Sequence, residues 1–160
     1  MSSATTPVGH GLYWEEFTLG YKFHTFGRTI TETDLVGFVN VTGFNEVLFT
    51  DTEYLKTGSA IKGRVVPAML VYAIAEGLLI PTLQGTGLAF FNSTIDVKAP
   101  TFVNDTVHVE GEVIETRLTA KGGNGLVRTF NKIVNQHGVT VLTYNPLRMI
   151  KGRNAPPLNT

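Results

Sequence analysis

The sequence predicts an α+β fold in which an antiparallel sheet wraps around one central apolar helix. Helical signals are confined to the first half of the chain, and the residues after Pro81 alternate between apolar and polar with period two. One helix in the middle of the chain is apolar nearly all round, so other structure must cover it on most sides. At 160 residues the chain is typical of one domain. A curled sheet over one helix satisfies all of these observations.

The first half begins with a strand and a short amphipathic helix. A strand is predicted at Tyr21–Ile30, where aromatic and β-branched residues precede a polar cluster. Thr31 and Asp34 have the spacing of a capping box, which predicts a helix start, and Gly43 supplies the stop. A loop over 44–50 and a further helical turn over 51–56 follow.

The central helix and four strands complete the predicted fold. Pro67 stands at the start of a helix over 68–79, in which Glu76 is the one charged residue. Four strands parted by turn residues follow at 89–97, 106–118, 125–135 and 139–150. This order of elements is that of the hot-dog architecture. Its uncovered sheet edge and half-open helix groove are usually closed by dimerisation.

Charge and composition exclude several classes of protein. The chain has no cysteine, which removes disulfides, thiolate nucleophiles and cysteine-ligated metals. Thirteen basic and 13 acidic residues cancel, which argues against a general nucleic-acid binder. However, residues 117–160 hold seven of the bases and no acid. This asymmetry indicates either an anionic partner for the C-terminal third or a sheet whose basic residues pair with acids from the first part.

The ends of the chain predict no targeting segment. Residues 1–12 are expected to be a disordered leader, 13–151 the folded domain and 152–160 a flexible tail. The apolar run at 65–80 is interrupted by Pro67, Glu76 and Gly77, so it does not predict a membrane span. The expected location is the cytoplasm, with no membrane partner.

Several segments resemble the MaoC-like hydratase/dehydratase family, in order and over about residues 13 to 150. They are GRTITETDLVGF at 27–38, TG at 42–43, TDTEY at 50–54, GRVVPAML at 63–70, VNDTVHVEGEV at 103–113 and VNQHG at 134–138. The resemblance implies a hot-dog dimer that adds water to, or removes it from, an acyl thioester of the enoyl-CoA and (R)-3-hydroxyacyl-CoA type. It implies an Asp/His pair for proton transfer and an amide at the start of the central helix to polarise the thioester carbonyl.

The catalytic pair of that family is missing from this chain. The family signature is Gly-Asp-x-Asn-Pro-x-His-x-Asp, and without gaps it falls on residues 43–51. Phe44 then occupies the position of the Asp, and Phe49 that of the His. Neither phenyl ring can move a proton. Glu46 is the one ionisable side chain within the loop, and burial would raise the pKa of its carboxyl group toward a useful range for acid/base chemistry.

The candidate site is therefore non-standard. Glu46 and Asn45 are the predicted catalytic residues, with the alternative that Glu46 is an exposed glutamate paired with a Lys or Arg. The predicted substrate contacts lie on the loop, around the helix start or among the basic residues: Phe44, Phe49, Val66, Ala68, Arg64 and Arg128. The basic ones, together with Lys132 and Arg148, are predicted to attract the phosphates of CoA. No metal and no cofactor is predicted, other than CoA as part of the substrate.

Three functions remain open on the sequence. The first is a MaoC-like hydratase or dehydratase centred on Glu46. The second is a non-catalytic protein, which either binds acyl-CoA or supports an active partner in a heteromeric hydratase. The third is a hot-dog thioesterase, which usually needs a carboxylate as well. The oligomer is predicted to be a homodimer or heterodimer of hot-dog domains.

Overall fold

A curled antiparallel sheet and one long helix form most of the structure, a computed structural model that describes residues 8–156. Within this range the helices are a 3-10 turn at Trp14–Glu16, α1 at Glu32–Thr42, α2 at Val47–Thr50, α3 at Thr52–Thr57 and α4 at Ala68–Leu83. The strands are β1 at Lys22–His24, β2 at Arg28–Thr29, β3 at Gly87–Asn92, β4 at Ile95–Val97, β5 at Thr106–Leu118, β6 at Gly125–Asn135, β7 at Thr140–Tyr144 and β8 at Leu147–Ile150.

The strands join into one antiparallel sheet that covers α4. Its main order is β1-β5-β6-β7-β4; β2 pairs with β5, while β8 pairs with β6 and carries β3 at its other side. The inner face of α4 buries Leu70, Val71, Ile74, Ala75 and Leu79 against this sheet. The predicted α+β hot-dog fold is therefore confirmed.

One face of α4 stays uncovered in the single chain. Met69 is 42% exposed and Ile80 is 49% exposed. The neighbouring strand β3 forms an edge of the sheet, and its Phe90 and Phe91 are 51% and 54% exposed. An edge strand with two exposed aromatic rings and a helix face with exposed apolar side chains are each typical of a surface that another protein covers.

Two long strands match the prediction, and three are interrupted. β5 and β6 have the predicted bounds. The first strand divides at Thr25, whose hydroxyl accepts a hydrogen bond from the Val109 amide and so replaces regular ladder pairing. The predicted strand at 89–97 breaks where the Thr94 amide donates to the Asn145 side chain. The last strand breaks at Pro146, which has no amide hydrogen to donate.

The helices follow their capping signals, with one extension. α1 starts and ends as predicted: the Thr31 hydroxyl accepts from the Asp34 amide, and Gly43 adopts φ 69°. α4 runs to Leu83 rather than ending at 79, with Pro81 inside its last turn. The amides of Gly11 and Leu12 donate to carbonyls at this end of the helix, which stabilises the added turn.

The folded part extends further toward both ends than the sequence suggested. Residues 1–7 and 157–160 of the predicted leader and tail lie outside the described residues. Gly11 and Leu12, however, are hydrogen-bonded to the end of α4. Gly152 is buried and donates to the Asn124 side chain, and the Arg153 amide donates to Glu15. Contacts with the folded domain therefore reach beyond the predicted bounds of 13 and 151, through residues far apart in sequence.

Candidate functional site

The predicted site loop contains a short helix. Residues 47–50, expected to be irregular, form α2, with Glu46 as its N-terminal flanking residue. The Glu46 carbonyl accepts from the amides of Phe49 and Thr50, and the Thr50 hydroxyl donates to the same carbonyl. The main chain of Glu46 is thus fixed, while its side chain caps nothing.

Phe44 and Phe49 pack against each other where the family carries its Asp and His. Their ring centroids lie 5.6 Å apart, and Phe38 of α1 lies 6.0 Å from Phe44. Phe49 is 7% exposed and belongs to the main core, whereas Phe44 is 41% exposed. Phe49 therefore fills the loop from within, and Phe44 presents an apolar surface at its rim.

Glu46 and Asn45 lie at the surface of the single chain. Both side chains are exposed, and none of the ion pairs within residues 8–156 includes Glu46. The alternative prediction is an exposed Glu46 paired with a Lys or Arg. Its exposure agrees with that alternative, but the pairing with a Lys or Arg is not found among the described residues. Its catalytic role stays a prediction, as does that of Asn45.

Arg64 joins the loop to the start of the central helix. Its guanidinium group binds the Glu32 carboxylate through Nε and Nη2, and its Nη1 donates to the Phe49 carbonyl at 2.6 Å. These hydrogen bonds lower the pKa of the Glu32 carboxyl group. Arg64 thus ties α1, the loop and the chain just before α4 together. Because the Glu32 carboxylate neutralises the charge of Arg64, Arg64 is a poor candidate for a free phosphate ligand.

The start of α4 offers backbone donors beside an apolar cavity. Pro67 precedes the helix, and no side chain caps it among the described residues. The first amides of a helix, here those of Ala68 and Met69, have no acceptor within the helix. A cavity of about 40 Å³ borders Ala68 and is lined by apolar residues of α4, β4 and β7. Val66 is buried, and its amide donates to the Thr101 carbonyl, which fixes the approach to the helix.

Two further concavities are larger. A cavity of about 210 Å³ between α1 and α2 is bordered by Val39, Phe49 and Arg64. An open groove of about 450 Å³ crosses the outer face of β1, β5 and β6, lined by Lys, His and Glu side chains and remote from the loop. Among residues 8–156, no group of three carboxylate or imidazole side chains is arranged to hold a metal ion. None of the helices in this range has the length and apolar character needed to cross a bilayer.

The basic C-terminal strands pair with acids from earlier in the chain. Arg128 donates to Asn92 and to the Asn145 carbonyl and lies 3.5 Å from Glu115. Arg148 pairs with Glu76, and Arg153 with Glu16 at 2.9 Å. Of the two explanations for the charge asymmetry, pairing within the fold therefore accounts for these arginines. Arg128 and Arg148 are engaged within the protein rather than free to meet phosphates.

A group of buried polar side chains lies between α4 and the sheet, and it was not predicted from the sequence. We call this group, Glu76, Thr129, Asn131, Tyr144 and Arg148, the interior polar cluster. Burial and the nearby Glu76 carboxylate raise the pKa of Tyr144 well above its ordinary value, so its hydroxyl stays protonated. One signal was present in the sequence: Glu76 is the only charged residue in an otherwise apolar helix.

Comparison with known proteins gives one curated relative and a set of similar structures, while no protein-family model matches the chain. The relative, 3-hydroxybutyryl-CoA dehydratase of Methylorubrum extorquens, is 25% identical over 104 residues. That alignment covers 65% of each protein, so it spans slightly less than two thirds of the dehydratase.

Two of the similar solved structures combine similarity in fold with similarity in sequence to the chain. A MaoC domain protein of Chloroflexus aurantiacus is 25% identical with a TM-score of 0.86, covering 98% of this chain and 46% of that longer one. The R-hydratase of Pseudomonas aeruginosa is 25% identical with a TM-score of 0.73, covering 94% and 97% of the two chains.

Proposed function

We propose that this chain hydrates an enoyl-CoA or dehydrates the corresponding 3-hydroxyacyl-CoA. Its fold and its similarities are those of MaoC-like hot-dog proteins. The observation that carries the proposal is the uncapped start of α4 at Ala68, which opens beside an apolar cavity. The names of the similar proteins, a 3-hydroxybutyryl-CoA dehydratase and an R-hydratase, support the same chemistry. CoA enters as part of the substrate.

The helix start supplies the electrostatic part of the reaction. When water adds to the double bond, negative charge develops on the thioester oxygen. The amides of Ala68 and Met69 at the positive end of a 16-residue helix suit that charge. Ala68 replaces the glycine of the family, and its methyl group leaves the amide hydrogen in place.

Glu46 supplies the proton-transfer group in this proposal. A carboxylate can take a proton from water as oxygen attacks the β-carbon, and a carboxylic acid can return it at the α-carbon. In the single chain Glu46 is exposed, so bulk water would reach the reacting atoms. The proposal therefore requires a second hot-dog unit to cover the loop. The exposed apolar residues of α4 and β3 give that unit a surface to bind.

The first experiment compares Glu46→Gln with Glu53→Gln in the hydration of crotonyl-CoA, followed by loss of the enoyl-thioester absorbance. Glu53 is a matched control because it is an exposed glutamate of the neighbouring α3. We expect Glu46→Gln to lower kcat roughly 10²- to 10⁴-fold with little change in KM. Glu53→Gln should match the wild type. Absence of turnover by the wild-type protein, or full activity of Glu46→Gln, would contradict the proposal.

A second variant tests the helix start without changing any side-chain charge. Ala68→Pro removes one amide hydrogen at the first helical position, where proline is well tolerated. Pro67 already has ψ 135°, a value that suits a residue before proline. We expect kcat to fall about 10²- to 10³-fold, with thermal stability kept. If activity appears only after addition of a hydratase subunit that carries the Asp/His pair, the chain is instead the supporting subunit of a heteromer.

A further inference from the structure

We propose that the interior polar cluster recognises an uncharged hydrogen-bonding group on the acyl chain of the substrate. The preferred substrate would then be an acyl-CoA whose chain carries a hydroxyl or amide group, rather than a plain hydrocarbon chain. This inference rests on the proposed acyl-CoA function and deepens it by naming the class of acyl group.

The cluster lies on the inner face of the sheet, directly under α4. Thr129 and Asn131 occupy the inward positions of β6, and Asn131 stands opposite Tyr144 of β7 in the strand register. Arg148 follows on β8 and pairs with Glu76 of the helix. Three strands and the central helix thus aim polar side chains at one place in an otherwise apolar interior.

Most of the cluster's polar atoms lack partners. In the part of the chain that the structure describes, seven buried side-chain oxygen or nitrogen atoms make no hydrogen bond, and five of them belong to the cluster. They are Glu76 Oε1, Thr129 Oγ1, Tyr144 Oη, and Oδ1 and Nδ2 of Asn131. Asn131 is 0% exposed and Tyr144 1%. The Tyr144 hydroxyl lies close enough to Asn131 and Glu76 for both to influence its pKa, but none of these contacts has the geometry of a hydrogen bond. Buried polar groups are nearly always paired, so this concentration of unmet donors and acceptors indicates groups that a further partner could satisfy.

The charges of the cluster favour a neutral ligand. Arg148 already pairs with the Glu76 carboxylate, and its guanidinium also lies 5.6 Å from the centre of the Phe90 ring. The unpartnered atoms belong to two hydroxyl groups, one amide and one carboxylate oxygen. This set can donate to and accept from a hydroxyl or amide. An added carboxylate would meet the negative Glu76 oxygen without a free cation to balance it.

The cluster lies along the helix from the proposed thioester site. Ala68, Tyr72 and Glu76 follow one another at intervals of four, so they share one stripe of α4. Eight helical residues correspond to about 12 Å, a distance that an extended acyl chain can span. The stripe leads from the amides at the helix start to the polar cluster.

Small cavities mark both ends of this path. The apolar cavity at Ala68 reaches Leu142 of β7, and a second cavity of about 20 Å³ borders Thr129 and Arg148. Tyr144 lies between Leu142 and Arg148 on the same inward face. The Tyr72 ring stands edge-on to Tyr144 with centroids 5.1 Å apart. Neither Tyr72 nor Tyr144 lines either cavity, so an acyl chain that runs from one cavity to the other must displace this tyrosine pair. The smaller cavity has room for a group about the size of water.

The test is calorimetric titration of the whole protein with saturated acyl-CoAs, which bind without reacting. For each chain length, the plain acyl-CoA is compared with its terminally hydroxylated and terminally carboxylated forms. We expect the best hydroxylated form to bind about five- to tenfold more tightly than its plain counterpart, as for one added hydrogen bond. The carboxylated form should show no such gain.

Variants assign the preference to the cluster. Tyr144→Phe and Thr129→Val each remove one hydroxyl with little change of shape, and either should bring the affinity ratio close to one. Thr86→Val is the matched control, because Thr86 also has a buried hydroxyl without a partner but lies outside the cluster. Using two variants covers the case in which one of them fails to fold.

The outcomes separate this inference from the function on which it rests. If plain and hydroxylated acyl-CoAs bind equally at every chain length, the cluster holds structural water only and the inference is wrong. An unchanged ratio in both folded variants would overturn it as well. If the wild-type protein binds no acyl-CoA of any kind, the proposed function itself fails.

Discussion

Replacing Arg148 with methionine should destabilise the protein by about 3 kcal/mol. The side chains of Arg148 and Glu76 are only 10% and 25% exposed, so the ion pair between them is largely removed from water. Loss of the guanidinium leaves the Glu76 carboxylate without its cation in an apolar interior. Breaking a buried pair on one side costs about 3–5 kcal/mol, and the partial exposure of Glu76 places this case at the low end.

Urea denaturation at one fixed protein concentration measures this loss, since association would make stability depend on concentration. For a chain of this size the melting temperature should also fall, by roughly 6–12 °C. Arg117→Met is the control: its pair with Glu115 is exposed, so the change should cost about 0.5 kcal/mol or less. Adding Glu76→Leu to Arg148→Met removes both charges and should restore most of the stability. The reasoning is refuted if Arg148→Met costs no more than the control, or if the double variant is less stable than Arg148→Met.

Three further predictions concern stability. Thr31→Ala removes the cap of α1 and should cost about 1 kcal/mol in urea denaturation, whereas Thr31→Ser should cost much less. The hydrogen bond from the Thr31 amide lowers the pKa of Asp34. The stability that the ionised Asp34 carboxylate contributes is therefore present above the ordinary carboxyl pKa, and it is lost as the pH falls through the pKa of Asp34 in the folded protein. Stability lost between about pH 5 and pH 2 should therefore be smaller in Asp34→Asn, and an equal loss in both proteins would contradict this. Gly152→Ala makes a methyl carbon overlap the Gly123 carbonyl oxygen and should cost at least about 1–3 kcal/mol, while a neutral result would show that this end of the chain is not anchored.

Local signals determine how much of the fold could be predicted. The bounds of β5 and β6 and the limits of α1 were correct because each element carries its own periodicity or caps. The interrupted strands were missed for the opposite reason. Thr25 bonds to Val109 and Thr94 to Asn145, so the breaks depend on partners 84 and 51 residues away. The pattern of either segment alone contains no trace of these contacts.

The candidate site likewise contains features that the sequence could predict and features that it could not. The loop and the helix start were located through the family resemblance, because both lie in short continuous segments. The engagement of Arg64 by Glu32 and the pairing of Arg148 with Glu76 join residues 32 and 72 positions apart. The sequence names these arginines as candidate phosphate ligands, whereas the fold places Arg64 and Arg148 in internal ion pairs, and their role toward phosphate stays a prediction. Glu46 could be named from the sequence, but its exposure depends on which surfaces remain uncovered.

The missing Asp/His pair gives the two proposals a common basis. With Phe44 and Phe49 packed in the loop, the proposed chemistry at this end of α4 would depend on backbone amides and on one carboxylate that a second hot-dog unit would cover. Backbone amides stabilise charge on any thioester and do not distinguish one acyl chain from another. If the proposed function is correct, selectivity would come from further along the helix. Under the two proposals, the interior polar cluster lies along this path, and its unpartnered atoms would let it distinguish one acyl chain from another.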